Sequence, residues 1–96
     1  MLHLIFQSPL EVAVLGRISA GDDVVFLESA VLGLLQKSNS AGALAGLIAH
    51  CRLYVLIDAI NARGILADEL VAGMALIDYA GLVALTVKNP VIQSWS

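Results

Sequence analysis

Apolar residues fall along this chain in short unbroken blocks, separated by small, polar or turn-forming residues. Residues 2–6, 23–28 and 52–57 are such blocks, each rich in Val, Ile, Leu or Phe. None alternates strictly between apolar and polar. Runs without alternation suit strands covered on both faces, as in a buried parallel sheet. Residues 74–78 have the same character, and residues 91–95 read more weakly as an edge strand or a tail.

Helical segments fill the gaps. Ser8-Pro9-Leu10-Glu11 offers an N-cap serine, a proline at the first helical position and a glutamate that reaches back to the cap. The helix predicted from it runs to about Ser19, with Leu10, Val14, Leu15 and Ile18 as its apolar face. Gly21-Asp22 then turns the chain into the second strand. Strand, helix and strand fit within about 28 residues, enough for a right-handed parallel crossover. Residues 30–37 predict a short helix, 37–40 a loop and 44–50 a second helix. Asp58 is expected to cap a helix ending at Arg63, with Gly64 in the left-handed position after it. Residues 68–71 predict another helical turn, and Gly73 opens the fourth strand. Asp78 is expected to cap the last helix, 79–87, which Asn89-Pro90 ends. This alternation predicts an α/β fold, a three-layer α/β/α sandwich around a mostly parallel four- to five-stranded sheet. A site on such a sheet sits beyond the carboxyl ends of the strands, here residues 7–9, 29–30, 58–61 and 79–81.

Composition sharpens the picture. The 96 residues fit one domain spanning 1–96; 59% are hydrophobic and only 14% charged. Ordinary soluble domains are about 45–50% apolar and about 25% charged. So short a chain cannot hide that much apolar area within itself, and an exposed apolar patch marks a partner surface. The sequence therefore predicts an obligate subunit. A membrane span does not account for the excess. The longest stretch without Asp, Glu, Lys or Arg, between Lys37 and Arg52, contains Ser38, Asn39, Ser40 and His50. It is shorter and more polar than the roughly 18–20 apolar residues a span needs. Residues 1–6 carry no basic n-region, so no signal peptide and a cytoplasmic location are expected. With a net charge of −3 and five Lys and Arg in all, direct nucleic-acid binding by this chain alone is not expected.

Reactive chemistry is sparse. There is no phosphate loop, no Gly-x-Gly-x-x-Gly after the first strand and no Gly-x-Ser-x-Gly elbow, so no cofactor is expected. His3 and His50 lack ligand spacing with carboxylates; His3, inside a strand, reads as a hydrogen-bonded core histidine. The single cysteine, Cys51, excludes an internal disulfide and a Cys-based zinc site built from this chain. It precedes the third strand, the wrong edge for a site at the carboxyl ends. His50 and Arg52 flank it and their charge would lower a thiol pKa, yet neighbours in a strand point to opposite faces. Cys51 thus reads as a small apolar residue first and as a persulfide carrier second. Asp68-Glu69 reads as a solvated patch, and nothing in the spacing forces two acids to converge. Tyr79, Leu82, Val83 and Leu85 fall at helical spacing and read mostly as core. Trp95 needs something to hold it, either its own domain or a neighbour.

These residues resemble the TusB/DsrH family along nearly the whole chain. Met1-Leu2-His3 followed by Ser8-Pro9, Gly21-Asp22 before the second strand, and Ala62-Arg63-Gly64 are similar to family features. Ile77-Asp78-Tyr79-Ala80-Gly81-Leu82-Val83-Ala84-Leu85-Thr86 resembles the family's Asp-Tyr-x-x-Phe-Val-x-Leu-Thr block, with Leu82 where the family often has Phe. Gln93-Ser94-Trp95 resembles its close. The resemblance implies a DsrE/DsrF/DsrH-like fold and a hetero-hexamer, two copies each of three related subunits. It implies a cytoplasmic relay passing persulfide sulfur between cysteines. In the Tus branch that sulfur ends in 2-thiouridine at the tRNA wobble position; in the Dsr branch the complex serves sulfur oxidation. It implies TusC/DsrF-like and TusD/DsrE-like partners, the latter carrying the principal cysteine. DsrH-branch members can carry a cysteine in the first helix; this chain has none there, which favours the TusB-like, non-catalytic branch. The expected function is a non-catalytic subunit with Tyr79, Leu82 and Trp95 as interface candidates. The alternatives are a sulfurtransferase subunit using Cys51 as persulfide acceptor, a Dsr-type subunit, and a stand-alone homo-oligomer that binds a small ligand.

Overall fold

A computed structural model of the chain describes residues 1–7, 12–36 and 41–95. The capping box at Ser8–Glu11 and the loop predicted at 37–40 lie outside them. Five strands form one sheet: β1 (Leu2–Ile5), β2 (Asp23–Phe26), β3 (Arg52–Leu56), β4 (Ala75–Ile77) and β5 (Ile92–Trp95). Their order is β4-β3-β2-β1-β5 and every pairing is parallel. The weakly marked segment 91–95 is thus a true edge strand, in register with β1 from Leu2↔Ile92 to Ile5↔Trp95.

The α/β layering follows from that order. The chain steps from β1 to β4 in one direction, then returns to the far side of β1. Right-handed crossovers put the first three connections on one face and the last on the other. The side chains agree. Ile5 and Trp95 share a face in register, and Arg17, beyond the first helix, reaches Trp95 on it. Leu2 and Asp23 share the opposite face, and Asn89 reaches Asp23 there. The first face carries α1 (Val12–Leu15), α2 (Ala41–Ile48) and α3 (Ile57–Ala62), with a 3-10 run over Glu28–Leu34. The second carries α4 (Tyr79–Lys88).

The core lies mostly between the sheet and the first layer. Phe26, Val24, Val55, Leu34, Val31 and Leu44 are wholly buried, and so are Leu2 and Val25 on the α4 side. The blocks at 2–6, 23–28 and 52–57 are therefore interior strands largely covered on both faces, as their composition requires. The block at 74–78, which has the same look in sequence, is instead the edge strand β4, with Ala75 and Leu76 exposed, because only β3 flanks it.

Several local details depart from the sequence reading. The first helix ends at Leu15, before Gly16, and continues as two tight turns, Arg17 N–H to Val14 O and Ile18 N–H to Leu15 O. The helix expected over 30–37 is a 3-10 run that starts earlier, at Glu28, and ends where Leu35 bridges Leu70. Asp58 does not cap α3. That helix continues directly out of β3 with Leu56 at its N-cap, so Asp58 sits exposed in the first turn, where a negative charge suits the helix dipole. The turn expected at 68–71 is Ala67–Glu69, closed by Glu69 accepting from the Leu66 amide at 2.9 Å. Gly64, by contrast, holds its expected left-handed conformation, φ 67°.

Candidate functional site

A polar chain of contacts joins the first strand to the last. His3, on interior strand β1, is 1% exposed. Its Nε2 lies 2.8 Å from Asp22 Oδ2, and its Nδ1 lies 3.2 Å from Trp95 Nε1. An indole N–H only donates, so Nδ1 accepts. The ring hydrogen then sits on Nε2 and is donated to the Asp22 carboxylate. The two partners fix one neutral tautomer. The ring planes are 15° apart with centroids at 6.4 Å. Arg17 covers the indole face at 5.9 Å, a cation–π distance.

The turn before β2 positions Asp22. Gly21 takes φ 88° and donates its N–H to His50 O. Asp22 then accepts from the Ser19 amide at 3.0 Å and faces the Met1 ammonium at 3.5 Å. Burial alone would raise this carboxyl. The hydrogen bond from His3, the Ser19 amide and the ammonium charge outweigh it and hold the group below its ordinary value.

Cys51 lies beside this turn, at the amino end of β3. It is 9% exposed, and its thiol donates to Ser19 O at 3.2 Å. Burial pushes the thiol's pKa up and the Asp22 charge pushes it further, against smaller help from the Asp22 and Gly21 amides. The thiolate is the nucleophilic form, and this environment disfavours it. Arg52 and His50, the flanking bases, are exposed.

The carboxyl edge of the sheet brings little chemistry together. Ser29 Oγ donates to Phe6 O at 3.2 Å, and Asp78 Oδ1 caps α4 by accepting from the Gly81 amide at 2.8 Å. Glu28, exposed, takes a left-handed φ of 54° as the chain leaves β2. Among the described residues no three His, Cys, Asp or Glu side chains converge as a metal site. A half-open cleft of about 300 Å³ lies beside β4, lined by Gln36, Asp68, Leu70, Met74 and Leu76. Its amide, Gln36, is already spent on the carbonyls of Asp68 and Leu70.

The outer surface of α4 is more telling. The apolar residues at helical spacing, read as mostly core, divide between two faces. Leu85 is buried and Leu82 partly so, followed one turn on by buried Asn89, whose amide reaches Asp23 and Leu85 O. Tyr79, Val83 and Val87 face outward, 55%, 59% and 81% exposed, with exposed Ala80 and Ala84 between them. Ile92, on the α4 side of the sheet by its register with Leu2, is exposed too, as is Val91 just before β5. Lys88, next to Val87, is drawn to the buried Asp23 carboxylate at 3.3 Å. Of the three interface candidates, Tyr79 stands on this stripe, Leu82 faces the core, and Trp95 is half-buried against His3. The sequence reading missed Val83, Val87, Val91 and Ile92 as surface. The spacing of 79, 83 and 87 was available to find a second apolar face on the same helix.

Comparison with known proteins agrees with this architecture. Residues 6–91 match the family described as DsrH like protein. Protein TusB of Erwinia tasmaniensis is 36% identical over 98 residues, covering 99% of this chain and all of that protein. Protein TusB of Escherichia coli K12 is 32% identical with the same coverage, and that of Pectobacterium parmentieri 33%. The solved structure of MTH1491, a protein of unknown function from Methanobacterium thermoautotrophicum, superposes with a TM-score of 0.78. It covers 98% of this chain and 96% of that one at 17% identity, a likeness of fold alone. By sequence similarity over nearly its whole length, this chain belongs to the DsrH-like family that includes the TusB proteins.

Proposed function

We propose that the chain, acting as one domain, is a non-catalytic subunit of a hetero-oligomeric persulfide relay. In this reading the relay supplies sulfur for 2-thiouridine at the tRNA wobble position, in the cytoplasm. Family membership supports the pathway. The observation that carries the non-catalytic role is the state of Cys51: buried, bonded to a backbone carbonyl, and held as the thiol. A sulfur carrier needs an accessible thiolate. The working cysteine then belongs to a TusD/DsrE-like partner. This chain supplies surface, with Tyr79 and the α4 stripe as the seat for sister subunits, and the exposed parts of Leu82 and Trp95 as its margin. No helix among the described residues is long and apolar enough to cross a membrane, so the stripe is assigned to protein contact.

The test has two arms in cells lacking the gene for this chain. Cys51→Ser should restore tRNA thiolation to the wild-type level. Val83→Glu with Val87→Glu should fold but fail to co-purify sister subunits and fail to restore thiolation. A thiolation defect from Cys51→Ser in a folded protein would assign the carrier role to Cys51. Normal co-purification by the double variant would remove α4 as the seat.

A further inference from the structure

The Trp95–His3–Asp22 chain has a property that its neutral form alone does not show. His3 satisfies both partners only while Nδ1 is unprotonated. The Trp95 indole can only donate and the Asp22 carboxylate can only accept, so the ring must offer one acceptor and one donor. When Nδ1 takes a proton from solvent, the ring presents N–H groups on both sides. The Asp22 side strengthens, as a charge-assisted bond. The Trp95 side becomes two donors facing each other and must open. We propose that His3 is a pH-operated clasp: neutral, it fastens the indole of edge strand β5 to interior strand β1; protonated, it releases that indole.

Charged and titratable groups face the ring from several elements. Asp22, from the turn before β2, attracts the imidazolium from one side. Met1's ammonium, ahead of β1, shares that carboxylate, and Arg17, beyond α1, sits on the indole face; both cations oppose a third positive charge. The Cys51 thiol, from the start of β3, points to Ser19 O and carries no charge there. Asp23 and Lys88 pair with each other on the opposite face of the sheet. The other neighbour on β5, Gln93, does not titrate. The part that moves is also lightly held. Trp95 is half-buried, and β5 pairs in the sheet with β1 alone, so beyond the clasp its indole is held by Arg17 and by packing at the margin of the core. Acid release would therefore loosen the carboxyl end of β5 without dismantling the core.

Trp95 is the single tryptophan, so it reports on itself. The full chain labelled with 5-fluorotryptophan is followed by fluorine NMR from about pH 8 to about pH 5, the range where histidines titrate. The resonance should move reversibly with one midpoint, and protection of the indole proton from exchange should fall about tenfold at the acid end. His3→Asn places a non-titrating oxygen where Nδ1 accepts, and its resonance should stay still. His50→Gln should respond like wild type. A wild-type resonance and protection unchanged across the range would overturn the proposal. So would a His3→Asn response equal to wild type. If His3→Asn does not fold, the exchange measurement on wild type decides by itself: a tenfold loss upholds the clasp, and constant protection refutes it.

Discussion

Asp22→Ala probes the network at its anchor. The substitution removes the acceptor of three donors: His3 Nε2 at 2.8 Å, the Ser19 amide at 3.0 Å and the Met1 ammonium at 3.5 Å. These losses are unequal. The Met1 side chain is 41% exposed and its ammonium will be solvated, so that pair contributes little. The Ser19 amide lies in an exposed turn and finds water. The His3 side chain is 2% exposed, and its N–H is left buried without a partner. An unsatisfied buried donor costs about 1–3 kcal/mol, more when its bond was charge-assisted. Asp22 is small and 14% exposed, so the cavity contribution is minor. The expected loss is about 2–3 kcal/mol, a large part of the roughly 5–15 kcal/mol a small domain has. Urea unfolding at pH 7, followed by far-UV circular dichroism, measures it. The pH dependence gives a second check. Asp22's folded pKa is depressed, so its contribution is complete above the unfolded value and is lost as pH falls through the folded value. The gap between wild type and Asp22→Ala should therefore stay open at neutral pH and narrow below about pH 4. A difference under about 0.5 kcal/mol at pH 7, the size of an ordinary surface substitution, would refute the reasoning.

Three other substitutions test separate parts of the structure. Gly73→Ala puts a Cβ 2.8 Å from Ile48 Cγ2 at a residue with φ 97°, and should cost about 1–3 kcal/mol in a denaturant titration. Asn89→Ala removes the amide that bonds Asp23 Oδ2 at 3.1 Å, leaving a 2% exposed carboxylate whose Oδ1 already has no partner. Its expected cost is about 2–4 kcal/mol, read as a lowered Tm. Val87→Glu, at a position 81% exposed, should leave stability of the isolated chain within about 0.5 kcal/mol, so any larger loss would mean the side chain packs internally.

The sequence reading reached the parallel sheet because its signals were local. Unbroken apolar blocks mark buried strands, and Asp78 three residues before Gly81 marks a cap that forms as expected. It failed where a neighbour decides. Glu28–Leu34 has helix-forming composition, yet its left-handed entry at Glu28 and the Leu35–Leu70 bridge make it a 3-10 run. Asp58 looked like a cap because nothing local shows α3 growing straight out of β3. The apolar residues of α4 looked like core because hydrophobicity alone does not say which side of a helix meets the sheet. The bond between Trp95 and His3 spans 92 residues, and no spacing rule reaches that far. The expectation of surplus apolar surface rested on composition alone, and the α4 stripe is where such surface lies.

Placing β5 beside β1 has a consequence for biosynthesis. Strand β1 is made before the other four strands, yet β5, one of its two neighbours, is made after them. A nascent chain stalled after β4 exposes the whole flank of β1, with its unpaired amides and carbonyls, to any passing strand. Completing the sheet waits for the most distant pairing in the molecule, which places this fold among the slower small topologies. A partner that covers α4 and the β5 margin during translation would shorten that exposed interval.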